Sequence, residues 1–92
     1  MDSFDTVIRG GTVVTAADST QCDVGIRGGR ITALAQDLPA ADHEIDARGK
    51  LVLPGGVEGH CHIEQESGFG VMSADDFYSG SVSAAFGGNT TI

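Results

Sequence analysis

The sequence predicts a small β-rich segment followed by one strand, loop, helix, strand unit of the parallel α/β kind. Three observations carry that expectation. Residues 1–52 consist of short β-branched runs punctuated by glycine pairs, a Pro54-Gly55-Gly56 break follows, and beyond it a helical stripe leads into "NTTI".

The tetrapeptide "IRGG" occurs twice, at 8–11 and 26–29, each time followed by another β-branched stretch. Glycine pairs between such runs predict hairpins, because a type I′ turn needs positive φ at both central residues and glycine adopts it without steric cost. The opening is therefore expected to form two hairpins. In the second, Val24 and Ile26 alternate with Asp23, Gly25 and Arg27, and Ile31, Ala33 and Ala35 alternate with Thr32, Leu34 and Gln36. A period of two marks strands with one face on a core. Residues 37–43 read as a polar turn around Pro39 that includes His43, and "EIDARGKLVLP" as one or two short strands broken at Gly49.

Pro54 lacks the donor that would continue a ladder, and the two glycines permit a sharp change of direction. The boundary between structural units is placed there, giving segments 1–53 and 54–92. After "VEGHCHI" and the glycine-rich "EQESGFGVM", a helix is predicted from Ser73, with Ser73 as N-cap and Asp75 and Asp76 in the first turn. Ala74, Phe77, Tyr78, Ser81, Val82 and Ala85 share one stripe at helical spacing, and Gly87-Gly88 supplies the stop. "NTTI" reads as the start of a further strand. One such unit cannot close its own sheet, so the 92 residues are expected to be the N-terminal part of a longer protein.

Composition narrows the function. Thirteen acidic residues against five basic ones leave a net charge of −8, which repels phosphate backbones and anionic lipid heads. Neither nucleic acid nor a membrane is expected as a partner, and the cytoplasm is the expected location. No apolar run approaches the roughly 20 residues that span a bilayer, and "MDSFD" lacks the build of a signal peptide. Cys22 and Cys61 make no CxxC pair and read as reduced thiols. No phosphate-binding GxxxxGK[ST] or serine-nucleophile GxSxG is present, and "GFGVMS" misses the third glycine of GxGxxG.

One tripeptide points to chemistry. His60 and His62 flank Cys61 just after the break. On a strand, residues i and i+2 share a face, so two imidazoles could reach one cation while Cys61 faces away. Two polar residues at a strand end would satisfy the same pattern without any metal. Position favours the metal, because α/β folds place their sites where parallel strands end in glycine-rich loops.

The whole run "IRGGTVV", "DVGIRGGRITAL", "IDARGKLVLPGGVEGHCHIE" and "SADDFYSGSVSAAFGGNTTI" resembles the start of the cyclic amidohydrolases, specifically the dihydropyrimidinase and hydantoinase family. The resemblance covers nearly all of the chain, and its specific parts are the segment from Pro-Gly-Gly to HxH and the segment from "DDFY" to "TTI". It implies a β-sandwich domain, whose N-terminal part is 1–53, followed by the start of a (β/α)₈ TIM-barrel hydrolase domain at 54–92. It implies two divalent metal ions, usually zinc, of which His60 and His62 hold one. A carboxylated lysine, two more histidines and a catalytic aspartate would come from later barrel strands; Lys50 and His43 lie before the break and match none of these. No catalytic residue is therefore expected in this chain.

The family usually has Asp two residues before the first histidine, where this sequence has Glu58. Glu58 is read as a carboxylate steadying the site from outside the ligand set, or as a plain surface acid. Residues 64–72 would form the first loop over the barrel mouth, with Phe69 and Met72 as candidates to touch the substrate or simply to pack on neighbours. The reaction implied is ring opening of a small cyclic amide, dihydropyrimidine or hydantoin, by a metal-bridging hydroxide, in a homo-oligomer, a tetramer by resemblance. The alternatives are a non-catalytic dihydropyrimidinase-related scaffold, another cyclic amidohydrolase such as an allantoinase or dihydroorotase, or a β-rich binding module acting alone.

Overall fold

The structure, a computed structural model, describes residues 3–92, so the first two positions of segment 1–53 lie outside the described residues. The chain divides into two compact units, with the division between Pro54 and Gly55.

In the first unit β1 (Thr6–Val14) is the central strand. Along one edge it pairs antiparallel with β2 (Ser19–Arg27), which pairs in turn with β3 (Arg30–Ala35). Along its other edge β1 pairs in parallel first with β4 (His43–Asp46) and then with β5 (Leu51–Val52). Gly49, at φ +77, turns the chain between those two short strands, as expected, whereas His43 opens β4 instead of lying in the preceding turn. Val13, Cys22 and Val24 form the buried cluster, with Ile8, Ile26 and Val52 packed against it, and Val7 and Ala47 are also buried. Among the described residues these strands make one sheet; the facing layer of a sandwich is not formed within this unit. Ile31, Leu34, Leu51 and Leu53 remain exposed.

The two "IRGG" copies have different fates. Gly28 and Gly29, at φ +58 and +75, make the tight turn between β2 and β3, and Asp5 accepts a hydrogen bond from Gly28 N–H at 2.6 Å. Gly10 and Gly11 make no turn. The pairing steps from Ile8 opposite Val24 to Gly11 opposite Cys22, so Arg9 and Gly10 together face Asp23 in a β-bulge. Only Gly10 has positive φ, +69, and β1 runs on through the site. The extra residue changes the parity of the strand: Ile8 before the bulge and Val13 after it reach the same cluster. A hairpin at 8–11 is thus corrected to a bulged strand.

Asp23 holds that bulge. Its carboxylate accepts from Gly10 N–H at 2.9 Å, Leu38 N–H at 3.1 Å and Arg9 Nη1 at 3.0 Å. Arg9 also donates to Glu44 through Nε at 2.8 Å and Nη2 at 3.1 Å.

The second unit contains β6 (Gly56–Val57), α1 (Phe77–Phe86) and β7 (Asn89–Thr91), with β6 and β7 parallel. The expected strand at "NTTI" is present, and Gly87 and Gly88 end the helix as expected. The start of the helix is different. Asp76 is the N-cap, accepting from Ser79 N–H at 2.7 Å while its own N–H donates to Ser79 Oγ at 3.1 Å. This reciprocal capping box begins the helix at Phe77 and leaves Ser73 to Asp75 outside it. Of the helix residues only Gly80 is buried, under Ile63; Phe77, Tyr78 and Phe86 are exposed, so the predicted apolar stripe is not a buried face in this chain. No helix among the described residues is long and apolar enough to cross a membrane.

Candidate metal centre

His60 and His62 lie beyond β6, in irregular backbone. Strand alternation therefore does not bring them together, contrary to the sequence expectation. Two side-chain hydrogen bonds flank the pair instead. Glu58 Oε1 accepts from His60 N–H at 2.8 Å, and His62 Nδ1 is hydrogen-bonded to Gln65 Oε1. The two rings, with centroids 5.2 Å apart and planes 32° from parallel, bring their Nε2 atoms to 3.1 Å.

That separation suits a shared cation. Two nitrogens each about 2.0–2.1 Å from one tetrahedral ion stand roughly 3.3 Å apart. The donor type fits as well, since neutral imidazole is a common ligand for zinc and its neighbours in the first transition row. Among the described residues, however, no group of three or more His, Cys, Asp or Glu side chains is gathered where it could hold a metal ion. The chain offers a pair of imidazoles; Cys61 between them is a free, exposed thiol, and Cys22 is free but buried.

The loop after His62 folds back on itself. Ser67 N–H donates to Val71 O at 2.7 Å, Glu66 bridges Met72, and Ser73 N–H donates to Gln65 O at 2.8 Å. A cavity of about 300 Å³ opens there, lined by His62, Gln65, Ser67, Val71, Met72 and Ser73. Met72 therefore shares a cavity wall with His62, whereas Phe69 is 95% exposed and is not part of that lining. Glu58 turns back to the backbone of His60. Gln65 was not singled out from sequence, because an amide three residues after a histidine in a loop has no periodicity to mark it.

The other cluster of charges is the one at the β1 bulge. Burial pushes the Asp23 carboxyl up, but the Gly10 and Leu38 N–H groups and Arg9 outweigh it and hold it below its ordinary value. Hydrogen bonding to Arg9, then to Ala41 N–H, holds Glu44 down to about 2. The acceptors of Asp23 and Glu44 tie β1, β2 and β4 to the segment between β3 and β4 through Arg9, Gly10, Leu38 and Ala41.

No protein-family model matches the chain. It is 52% identical over 96 residues to a D-hydantoinase of Streptomyces coelicolor, an alignment covering 98% of this chain and 20% of that protein. It is 39% identical over 90 residues to an allantoinase of Escherichia coli, covering 98% of the chain and 19% of the relative. Among solved structures, a D-hydantoinase superposes with a TM-score of 0.87 at 44% identity, covering 95% of this chain and 19% of that one. The dihydropyrimidinase of Brevibacillus agri gives 0.84 at 46%, covering 92% and 18%. The fold and the sequence thus define a cyclic amidohydrolase chain. It belongs to the hydantoinase and dihydropyrimidinase family, and spans about a fifth of the length of these relatives.

Proposed function

We propose that the protein carrying this chain is a metal-dependent hydrolase that opens small cyclic amides, and that His60 and His62 supply two ligands of its metal centre. The observation that carries the reading is the approach of the two Nε2 atoms to 3.1 Å in a chain of this family. Bound divalent metal, a zinc pair by family resemblance, would supply an activated water and polarise the ring carbonyl. The residues of this chain hold and orient: the two imidazoles present their Nε2 atoms, Glu58 ties down the backbone of His60, and Gln65 engages the far nitrogen of His62. Met72, on the cavity beside His62, is the residue of this loop read as meeting a substrate's substituent, while Phe69 lies outside that cavity's lining.

On this reading the sheet up to Pro54 is part of a β-sandwich, and β6, α1 and β7 open a (β/α)₈ barrel. A bridging carboxylated lysine, two histidines and a catalytic aspartate come from residues outside this sequence. The assembly is a tetramer and cytoplasmic. A second ring class stays in play because an allantoinase is among the relatives at 39% identity.

The test is metal analysis joined to an assay of hydantoin, dihydrouracil and allantoin on the longer protein. The reading expects metal-dependent opening of at least one ring, and no turnover by the 92-residue chain alone. Absence of metal from an active protein, or ring opening by the isolated chain that His60→Ala abolishes, would contradict it.

A further inference from the structure

We propose that Gln65 is the positioning residue that selects the tautomer of His62, holding the proton on Nδ1 and leaving Nε2 as a bare donor atom. Gln65 Oε1 is a carbonyl oxygen and can only accept, so the imidazole nitrogen bonded to it, Nδ1, must carry the hydrogen. In a neutral ring the other nitrogen then has a free lone pair. That other nitrogen is the Nε2 atom 3.1 Å from its counterpart on His60, so the hydrogen bond readies the atom that a shared cation would need.

Gln65 is held for this task from several sides. Its N–H donates to Ser73 Oγ at 3.0 Å, and its C=O accepts from Ser73 N–H at 2.8 Å, a two-point clasp across the loop. Immediately before it, Glu64 adopts φ +50, a conformation that side chains other than glycine visit rarely. That turn is secured at both ends: Glu64 N–H donates to Asp75 O at 3.0 Å, and Glu64 Oε1 accepts from Phe77 N–H, in the first turn of α1, at 3.1 Å. The loop is thereby pinned to the helix start, and Gln65 is delivered to His62 by fixed backbone. This also assigns Ser73 a place: it clasps Gln65 and does not cap the helix.

The tautomer assignment stands on the hydrogen bond alone, while its consequence for metal binding rests on the metal-centre reading above. The chain has three histidines, so ¹⁵N-histidine labelling gives a spectrum that can be assigned completely. Long-range ¹H–¹⁵N correlation on the metal-free chain at about pH 9, well above the ordinary imidazole pKa, reports which nitrogen carries the proton. The expected result is the Nδ1–H form at His62, its loss in Gln65→Leu, and its retention in Gln65→Glu, whose carboxylate still accepts. A wild-type His62 protonated on Nε2, which would also mean that the Gln65 amide presents its NH₂ group, overturns the proposal without any variant. So does a Gln65→Leu chain that keeps its amide spectrum and its Nδ1–H form.

A Zn²⁺ titration on the same samples separates the two readings. Affinity in Gln65→Leu is expected to fall about 10–100-fold, as when an outer partner of a metal-bound histidine is removed. Equal affinity in the two chains overturns the positioning role. If Zn²⁺ moves neither the His60 nor the His62 nitrogens of wild type, the ligand assignment fails and the tautomer result is untouched.

Discussion

His60 and His62 bring their Nε2 atoms to 3.1 Å although neither residue belongs to a strand. The pair is therefore a product of side-chain hydrogen bonds in a short irregular segment, and its members are separately breakable. In the longer protein, His62→Ala is expected to lower bound metal and ring-opening activity together, by more than the roughly 10–100-fold that loss of an outer partner costs. Metal content measured on purified variants checks this; unchanged occupancy would remove His62 from the ligand set.

On the proposed metal-centre reading, Glu58 acts one step further out. Its carboxylate engages the backbone N–H of His60 and not the ring, so its removal should loosen the ligand without deleting it. Glu58→Ala is expected to weaken metal affinity by about 10-fold, less than His60→Ala, and Glu58→Gln, which keeps an accepting oxygen, by less still. Competition with a chelator ranks the three. An affinity in Glu58→Ala as low as in His60→Ala would mean that the carboxylate itself reaches the metal.

How much of this was legible in the sequence depends on whether the deciding contact is local. The Gly28-Gly29 turn, and the positive φ of Gly88 just past the helix end, follow from backbone freedom at those residues. The first "IRGG" reads identically to the second, yet Gly11 lies under Val52 and Ala47, and Asp23 bonds Gly10 N–H. Those partners are 13 to 41 residues away, and nothing in the tetrapeptide announces them. The sequence reading takes Ser73 as the cap and puts Asp76 in the first turn; the backbone N–H and hydroxyl of Ser79, three residues after Asp76, make Asp76 the cap instead. At the site, the spacing of His60 and His62 was visible, but the strand geometry invoked to join them was not the one that does so, and Gln65 was invisible.

The Arg9 cluster makes the first unit sensitive to acid. Glu44 is held down to about 2 from an ordinary 4.5 by its hydrogen bond to Arg9, and Asp23 is also held below its ordinary value. A depressed carboxyl contributes stability that is complete above its unfolded pKa and is lost as pH falls through the folded one. Stability of this unit should therefore decline between pH about 4.5 and about 2, more shallowly in Glu44→Gln and at high salt. Asp23→Ala should cost about 1–3 kcal/mol at neutral pH by orphaning the Gly10 and Leu38 N–H groups. Urea unfolding followed across the pH range tests each statement, and a pH profile identical in wild type and Glu44→Gln would refute the first.

The two "IRGG" copies allow a comparison in which a glycine of one copy should respond differently from a glycine of the other. At the tight turn, a Cβ on Gly28 meets nothing within 4 Å, and its φ of +58 is one that asparagine tolerates well. Gly28→Asn places Asn-Gly in a two-residue hairpin turn, a favoured pair there, and should change stability by no more than a few tenths of a kcal/mol. At the bulge, a Cβ on Gly11 would stand 2.5 Å from Val52 Cγ2 and 3.0 Å from Ala47 Cβ, in the layer where β5 meets β1. Gly11→Ala should therefore overpack a buried contact and cost about 1–3 kcal/mol. Gly11→Ala with Val52→Ala should recover part of that loss relative to Val52→Ala alone, because the colliding methyl is gone. Midpoints of thermal or urea unfolding for the four chains decide it: equal destabilisation at Gly11 and Gly28 would mean that both copies are turns and that β1 does not run through the first.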